Sequence, residues 1–305
     1  MRYSSIKMLA LTVSIAMIAP GQVDANPQEC QALAAQFEIA KPSINDHDLN
    51  NYVFKAADKG CVDLARQLLA GGGSVIMRRQ LGETALHHAA QAGEVEVAKL
   101  LLAAGAELNQ RDLRGSTALF LAAENNHTEM VKLLLGQHAD ATIPGRTDVT
   151  PLSAAAFNGN DKIVDLLLSS GSDPKAIDRT GKAAILYAAN RGFAKIVERL
   201  LTAGVDVNAV YGNDLTALMW ASGFADDVPE NDAIRTVTLL LDKGAKLEAK
   251  DDRGYTALIT AAQLGHDGVV KLLVARGANK AATNKDGNTA ADLAPTVELK
   301  TALAK

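Results

Sequence analysis

Gly82-Glu83-Thr84-Ala85-Leu86-His87-His88-Ala89-Ala90, with Leu100-Leu101-Leu102 and Gly105-Ala106 behind it, decides the fold of this 305-residue chain. The phrase returns along the sequence. Its threonine recurs at Thr117, Thr150, Thr216, Thr256 and Thr289, and Ala183 stands in the one copy that lacks it. Each step is 33 residues except that from Thr216 to Thr256, which is 40. Self-similarity at such a period marks a stack of small units, none able to bury its own apolar face alone.

The residues within one period say what the unit is. Gly82, Gly115, Gly181, Gly254 and Gly287 stand two places before the threonine position, where a tight turn calls for a positive φ. The threonine hydroxyl then caps a helix by accepting one of its orphan amides. Leu86 and Ala89-Ala90 give that helix a small apolar face that a neighbour approaches closely. A second helix carries Leu101-Leu102, Leu134-Leu135, Leu167-Leu168, Leu200-Leu201 or Leu240-Leu241, and Gly105, Gly171, Gly204, Gly244 or Gly277 stops it. A polar linker such as Glu107-Leu108-Asn109-Gln110-Arg111-Asp112 leads to the next turn. The unit is helix, turn, helix, finger.

At these residues the chain resembles the ankyrin-repeat family. The family pattern of Thr-Pro-Leu-His-x-Ala, a leucine pair and Gly-Ala is met in Thr84-Ala85-Leu86-His87-His88-Ala89 and in Thr150-Pro151-Leu152. Most copies carry alanine for the proline, which a first helical turn accepts, and only His87 keeps the histidine. The competing 34-residue helical repeat has a different pattern and no finger. The resemblance implies an all-α solenoid of helix-turn-helix units joined by β-hairpin-like fingers. Repeats are expected over about 49–80, 81–113, 114–146, 147–179, 180–212, 213–252 (with an insertion) and 253–285, with a C-terminal cap at 286–305.

The chain opens differently. Met1–Ala25 reads as a secretory signal: Arg2 and Lys7 are basic, Met8–Ala19 is apolar, and Val23-Asp24-Ala25 offers small residues for cleavage before Asn26. The apolar run is short of the roughly 20 residues a membrane-spanning helix needs. A soluble exported protein is expected, in a bacterial periplasm or, alternatively, fully secreted. Loss of Arg2, Lys7 and Asp24 would take the formal charge from −4 to −5, which argues against nucleic acid or anionic lipid as partners. Residues 26–48 are expected to form a capping helix and linker, because Cys30, Leu33, Ala34 and Phe37 make one apolar stripe before Pro42. In the worn first repeat Asn51 stands at the threonine place, and Leu68-Leu69 hold the register. Pro295 and the polar Glu298, Lys300 and Lys305 suggest a shortened cap at the other end.

Cys30 and Cys61 are the only cysteines, so a single internal disulfide is open to them after export; two buried thiols are the alternative. No Cys-x-x-Cys suggests redox activity. In the sixth unit Asp226-Asp227-Val228-Pro229-Glu230-Asn231-Asp232 reads as a surface loop rather than a longer helix. A partner contact or a calcium site are alternatives, though the spacing is not that of an EF-hand loop.

No catalytic constellation stands out. His87 occupies the motif's structural position, His127, His138 and His266 fall at unrelated places, and neither a phosphate loop nor His-Glu-x-x-His is present. No cofactor, metal or catalytic residue is expected. Two rivals to a binding scaffold stay open: a secreted effector or immunity-type inhibitor, and a metal-dependent or enzymatic module.

The resemblance implies that first helices line a concave groove and fingers project beside it. Four places after the threonine position stand His88, Leu121, Ala154, Tyr187, Trp220 and Thr260. Seven and eight places after it stand Phe157-Asn158, Asn190-Arg191, Gln263-Leu264 and, in the interrupted unit, Gly223-Phe224. In a chain only 4% aromatic, Phe157, Tyr187, Trp220 and Phe224 fall in consecutive units on this face, with Tyr211 and Tyr255 on the fingers. Aromatic residues and arginine commonly anchor interfaces. Arg79, Arg114, Arg146, Arg179 and Arg253 lie in finger segments and suggest a basic rim suited to an acidic protein partner, bound by a monomer.

Overall fold

The computed structural model describes residues 26–304; the signal expected at Met1–Ala25 and the terminal Lys305 lie outside them. Helix α1 (Pro27–Ala40) leads into α2 (Asp46–Lys59) and α3 (Val62–Ala70). Helix pairs then follow as α4 (Ala85–Ala92) with α5 (Val95–Ala103), α6 (Ala118–Glu124) with α7 (Thr128–Gly136), and α8 (Pro151–Asn158) with α9 (Asp161–Ser169). The series goes on with α10 (Ala184–Asn190) and α11 (Ala194–Thr202), then α12 (Ala217–Ser222) and α13 (Glu230–Asp242). It ends with α14 (Ala257–Leu264) and α15 (Asp267–Ala275), then α16 (Ala290–Leu293) and α17 (Val297–Ala304). Each first helix packs on the next first helix and, from α3 to α15, each second helix on the next second helix. The result is an all-α solenoid with one core running its length.

The threonines do the capping the sequence asks of them. The hydroxyls of Thr117, Thr150, Thr216, Thr256 and Thr289 accept the amides of Phe120, Ser153, Met219, Ile259 and Asp292. At Thr84 the amide donates to Nδ1 of His87 at 3.1 Å, and Nε2 of the same ring lies 3.1 Å from the Ser116 carbonyl. Nδ1 must therefore accept and Nε2 donate, which fixes the neutral tautomer of a buried imidazole. His87 joins one unit to the finger of the next, as its motif position implies.

Among the described residues no strand forms; the fingers close by paired backbone bonds, such as Asp112 N to Ser116 O with Gly115 N to Asp112 O, and Asp178 N to Lys182 O with Gly181 N to Asp178 O. Asp112, Asp178, Asp251 and Asn284 each brace a finger by accepting two of its amides through Oδ1. Two fingers lack the glycine. There Thr147 and Asp148, and likewise Asn213 and Asp214, take positive φ in succession, a strained conformation for a β-branched residue such as Thr147.

Two expectations need correction. Asn51 lies inside α2, and the cap is Asn45, whose side chain accepts the amide of Asp48. No finger precedes this helix, so nothing stops it growing backward to the nearest capping residue. The insertion is also not all loop. Pro229 is the N-cap of α13, which has 13 residues where α11 and α15 have 9. A proline is tolerated where no amide is needed, and Glu230 and Asp232 favour the positive end of the helix dipole.

Helix α1 closes the first end of the stack. It buries Leu33 and Phe37, with Cys30 and Ala34 packed beside them. Cys30 is disulfide-bonded to Cys61, the N-cap residue of α3. Glu29 and Lys59 form an ion pair alongside, and Gln67 donates to Glu38. At the other end Leu299 and Leu303 of α17 are buried over the last unit.

Candidate protein-binding face

The first helices are largely buried, so the side chains they leave accessible are few. Phe157 is 41% exposed at the end of α8, and Tyr187 of α10 meets it edge-on with ring centroids 6.1 Å apart. The Arg191 guanidinium lies over the Phe157 ring, 5.4 Å from its centroid. One unit further on, the Lys182 ammonium lies 5.4 Å from the centroid of Trp220. Phe157, Tyr187 and Arg191 therefore form one cluster, and Trp220 with Lys182 a separate pair, each with a cation seated on a π face.

The cluster is rigidly set. The Tyr187 hydroxyl donates to Asp178, the carboxylate that braces the preceding finger. Burial and that carboxylate push the Tyr187 hydroxyl well above the ordinary tyrosine range. The two ends of the bond answer oppositely: the Asp178 carboxyl is lowered, hydrogen bonds from Tyr187, Thr180 and Lys182 outweighing the burial that would raise it. Asn158 donates to the Glu124 carbonyl at 2.6 Å and Asn190 to the Gly223 carbonyl at 2.9 Å, so both stitch neighbouring units together.

Other residues expected on this face have different duties. Phe224 is 8% exposed and stacks on His266, with centroids 3.8 Å apart. Tyr255 is 9% exposed beneath Arg253. Neither offers its ring to a partner. Tyr211 is half-buried, and burial pushes its hydroxyl up to about 12. His88 packs on Phe54 and bonds Asp58 through Nδ1 at 2.6 Å. Leu264 is exposed at the end of α14.

The basic rim is answered from within. Arg114 pairs with Glu83 at 2.5 Å and Asp112 at 3.2 Å, Arg146 with Glu124 at 2.5 Å, and Arg179 with Asp148 at 3.3 Å. Arg253 pairs with Asp251 at 2.6 Å and Arg191 with Asp227 at 2.6 Å. An arginine with a carboxylate in hand projects little field, so a rim attracting acidic partners at long range is not what these residues build. Glu83, Asp148 and Asp227 lie in neighbouring units about one period from their arginines, a relation that repeat arithmetic could have exposed, whereas Asp112 and Asp251 answer from the same finger.

Three of the four acids of the insertion are likewise engaged: Asp227 with Arg191, Asp232 with Arg235, and Glu230 with the Gly268 amide. Among the described residues no three His, Cys, Asp or Glu side chains converge as a metal site requires. Among the same residues no helix is long and apolar enough to cross a membrane.

A single-core stack of helix pairs presenting ordered aromatic and charged side chains along one face defines a helical-repeat protein. A family profile described as "Ankyrin repeats (3 copies)" matches residues 26–112, 109–178, 152–229 and 227–296, and the chain belongs to the ankyrin-repeat family. It is also 40% identical over 74 residues to "Ankyrin repeat domain-containing protein 63" of Mus musculus; the match covers 24% of this chain and 18% of that relative. Ankyrin repeats generally mediate protein–protein interaction, and proteins built from them are generally non-catalytic scaffolds.

Proposed function

We propose that this chain is a non-catalytic scaffold that captures a protein partner on its first-helix face, after export to the bacterial cell envelope. One observation carries the binding surface. Phe157 stands open with Tyr187 edge-on and a guanidinium on its face, inside a framework that hydrogen bonds hold fixed. Side chains already ordered lose little entropy on binding, which is what makes such a cluster an anchor. The reading of an oxidising compartment draws support from the Cys30–Cys61 bridge together with the sequence of Met1–Ala25.

The test is photocrosslinking in whole cells from a photoreactive residue placed at Trp220. One dominant envelope protein, crosslinked from there and not from exposed Lys195 on α11, supports the scaffold. Replacing Trp220 and Tyr187 by alanine should then abolish capture. Recovery of the protein from the medium with no envelope crosslink would refute the envelope assignment and favour an effector acting on another cell.

A further inference from the structure

We infer that Arg191 receives a carboxylate of the partner, and that Asp227 is an internal carboxylate occupying it until the partner arrives. This rests on the first-helix face being the binding surface. A single nitrogen of Arg191, Nη1, meets both Asp227 oxygens, at 2.6 and 2.9 Å. Its Nε is buried with no hydrogen-bond partner. A carboxylate satisfies a guanidinium best through two parallel N–H bonds from two nitrogens. Nε, being buried, is closed to a partner; the fork open to one is Nη1 with Nη2, of which Asp227 engages Nη1 alone.

The pair is also lopsided. The Arg191 side chain is 21% exposed and that of Asp227 is 60% exposed, so the acid is the removable member. Its loop does not have to open. The Ala225 amide donates to the Asn190 carbonyl at 3.2 Å, Val228 is buried, and Gly192 lies so close that a Cβ there would come within 2.9 Å of Val228. A rotation of the Asp227 side chain alone vacates the guanidinium.

Arg191 lies over Phe157, so the carboxylate receiver and the open ring share one surface. The occupant they fit is a protein segment with Asp or Glu beside a large apolar side chain, the acid on Arg191 and the apolar group on Phe157. The internal acid is already the right chemistry in a weaker geometry. Exposed ion pairs are closed only a few-fold more often than open, so removing Asp227 should tighten such a ligand by roughly two- to sixfold.

The probes are the blocked dipeptides acetyl-Glu-Phe-amide and acetyl-Gln-Phe-amide, titrated against the full chain while following the backbone amide signals of residues 157 and 191 by NMR. Asp227→Asn should reach half-saturation with the Glu probe at a two- to sixfold lower concentration than wild type, and Arg191→Lys, which keeps the charge but loses the fork, should not saturate. Equal half-saturation in wild type and Asp227→Asn, or a Gln probe as effective as the Glu probe, overturns the inference. In cells, a Trp220 crosslink whose yield is unchanged by Asp227→Asn and Arg191→Lys overturns it while leaving the scaffold standing. Absence of any Trp220 crosslink in all three proteins removes the scaffold and this inference with it.

Discussion

Breaking the Cys30–Cys61 bridge tests how the stack is closed. The two residues are 31 apart in sequence, and in the chain-entropy model a loop of that size constrains the unfolded ensemble by about 3.7 kcal/mol. Against this, α1 has only Leu33 and Phe37 fully buried, a contribution of about 3–6 kcal/mol that must also order a 14-residue helix. The tether is therefore of the same size as everything else holding α1 down. Because each unit touches only its neighbours, the loss should stay local. Hydrogen exchange read by mass spectrometry on the Cys30→Ser/Cys61→Ser double variant is the assay. The backbone amides of α1 that follow Pro27 should exchange faster by roughly 500-fold, the equivalent of that tether energy. Amides from α6 onward should keep their wild-type rates. Protection of α1 within a factor of ten of wild type would refute the reasoning, and so would a loss spread evenly to the far end.

Three further outcomes follow from single contacts. Gly145 faces Phe120 so closely that an added Cβ would lie 2.5 Å from its ring; Gly145→Ala should cost about 1–3 kcal/mol by urea denaturation, and less in a Phe120→Leu background. Thr147 holds φ 54° and ψ 27°; Thr147→Gly should relieve about 1–2 kcal/mol of strain, lose about half of that to chain entropy, and raise the urea midpoint. His87 and His127 are held below the ordinary histidine range chiefly by burial, opposed by their backbone carbonyl contacts. The unfolded chain thus binds protons first, so stability should be intact above pH 6.5 and fall as acid is added below it. Thermal unfolding between pH 7.5 and 5 checks this, with a shallower fall in His127→Gln.

Much of the fold is legible because its signals are local. A capping threonine, a glycine two places before it and a leucine pair 17 places behind it lie within one period, and each recurs. What escaped depends on the neighbouring unit. Asn51 falls inside a helix whose cap is Asn45, and Phe224 is buried in the shared core, where His266 of the following unit stacks on it. Pro229 reads as a breaker when isolated, yet at a helix start it begins a turn rather than ending one. On the proposed binding face the aromatic row is visible in the sequence at once, whereas the neutralisation of its arginines emerges only when Glu83 is set against Arg114 and Asp148 against Arg179 across the period.

The long helix α13 bears on a difficulty common to all periodic surfaces. A ligand lying across equal units meets the same backbone again after sliding by one, so a uniform array offers several nearly equivalent seats. Here the extra residues of α13, 13 against 9 in each neighbour, add a step of about 6 Å at 1.5 Å per residue. Immediately before it, Asp227 reaches back to the preceding unit. A segment displaced by one unit in either direction loses both the step and the arginine beside it. On the proposed binding surface the interruption would act as an index mark, one address at which a partner's length and sequence coincide with it.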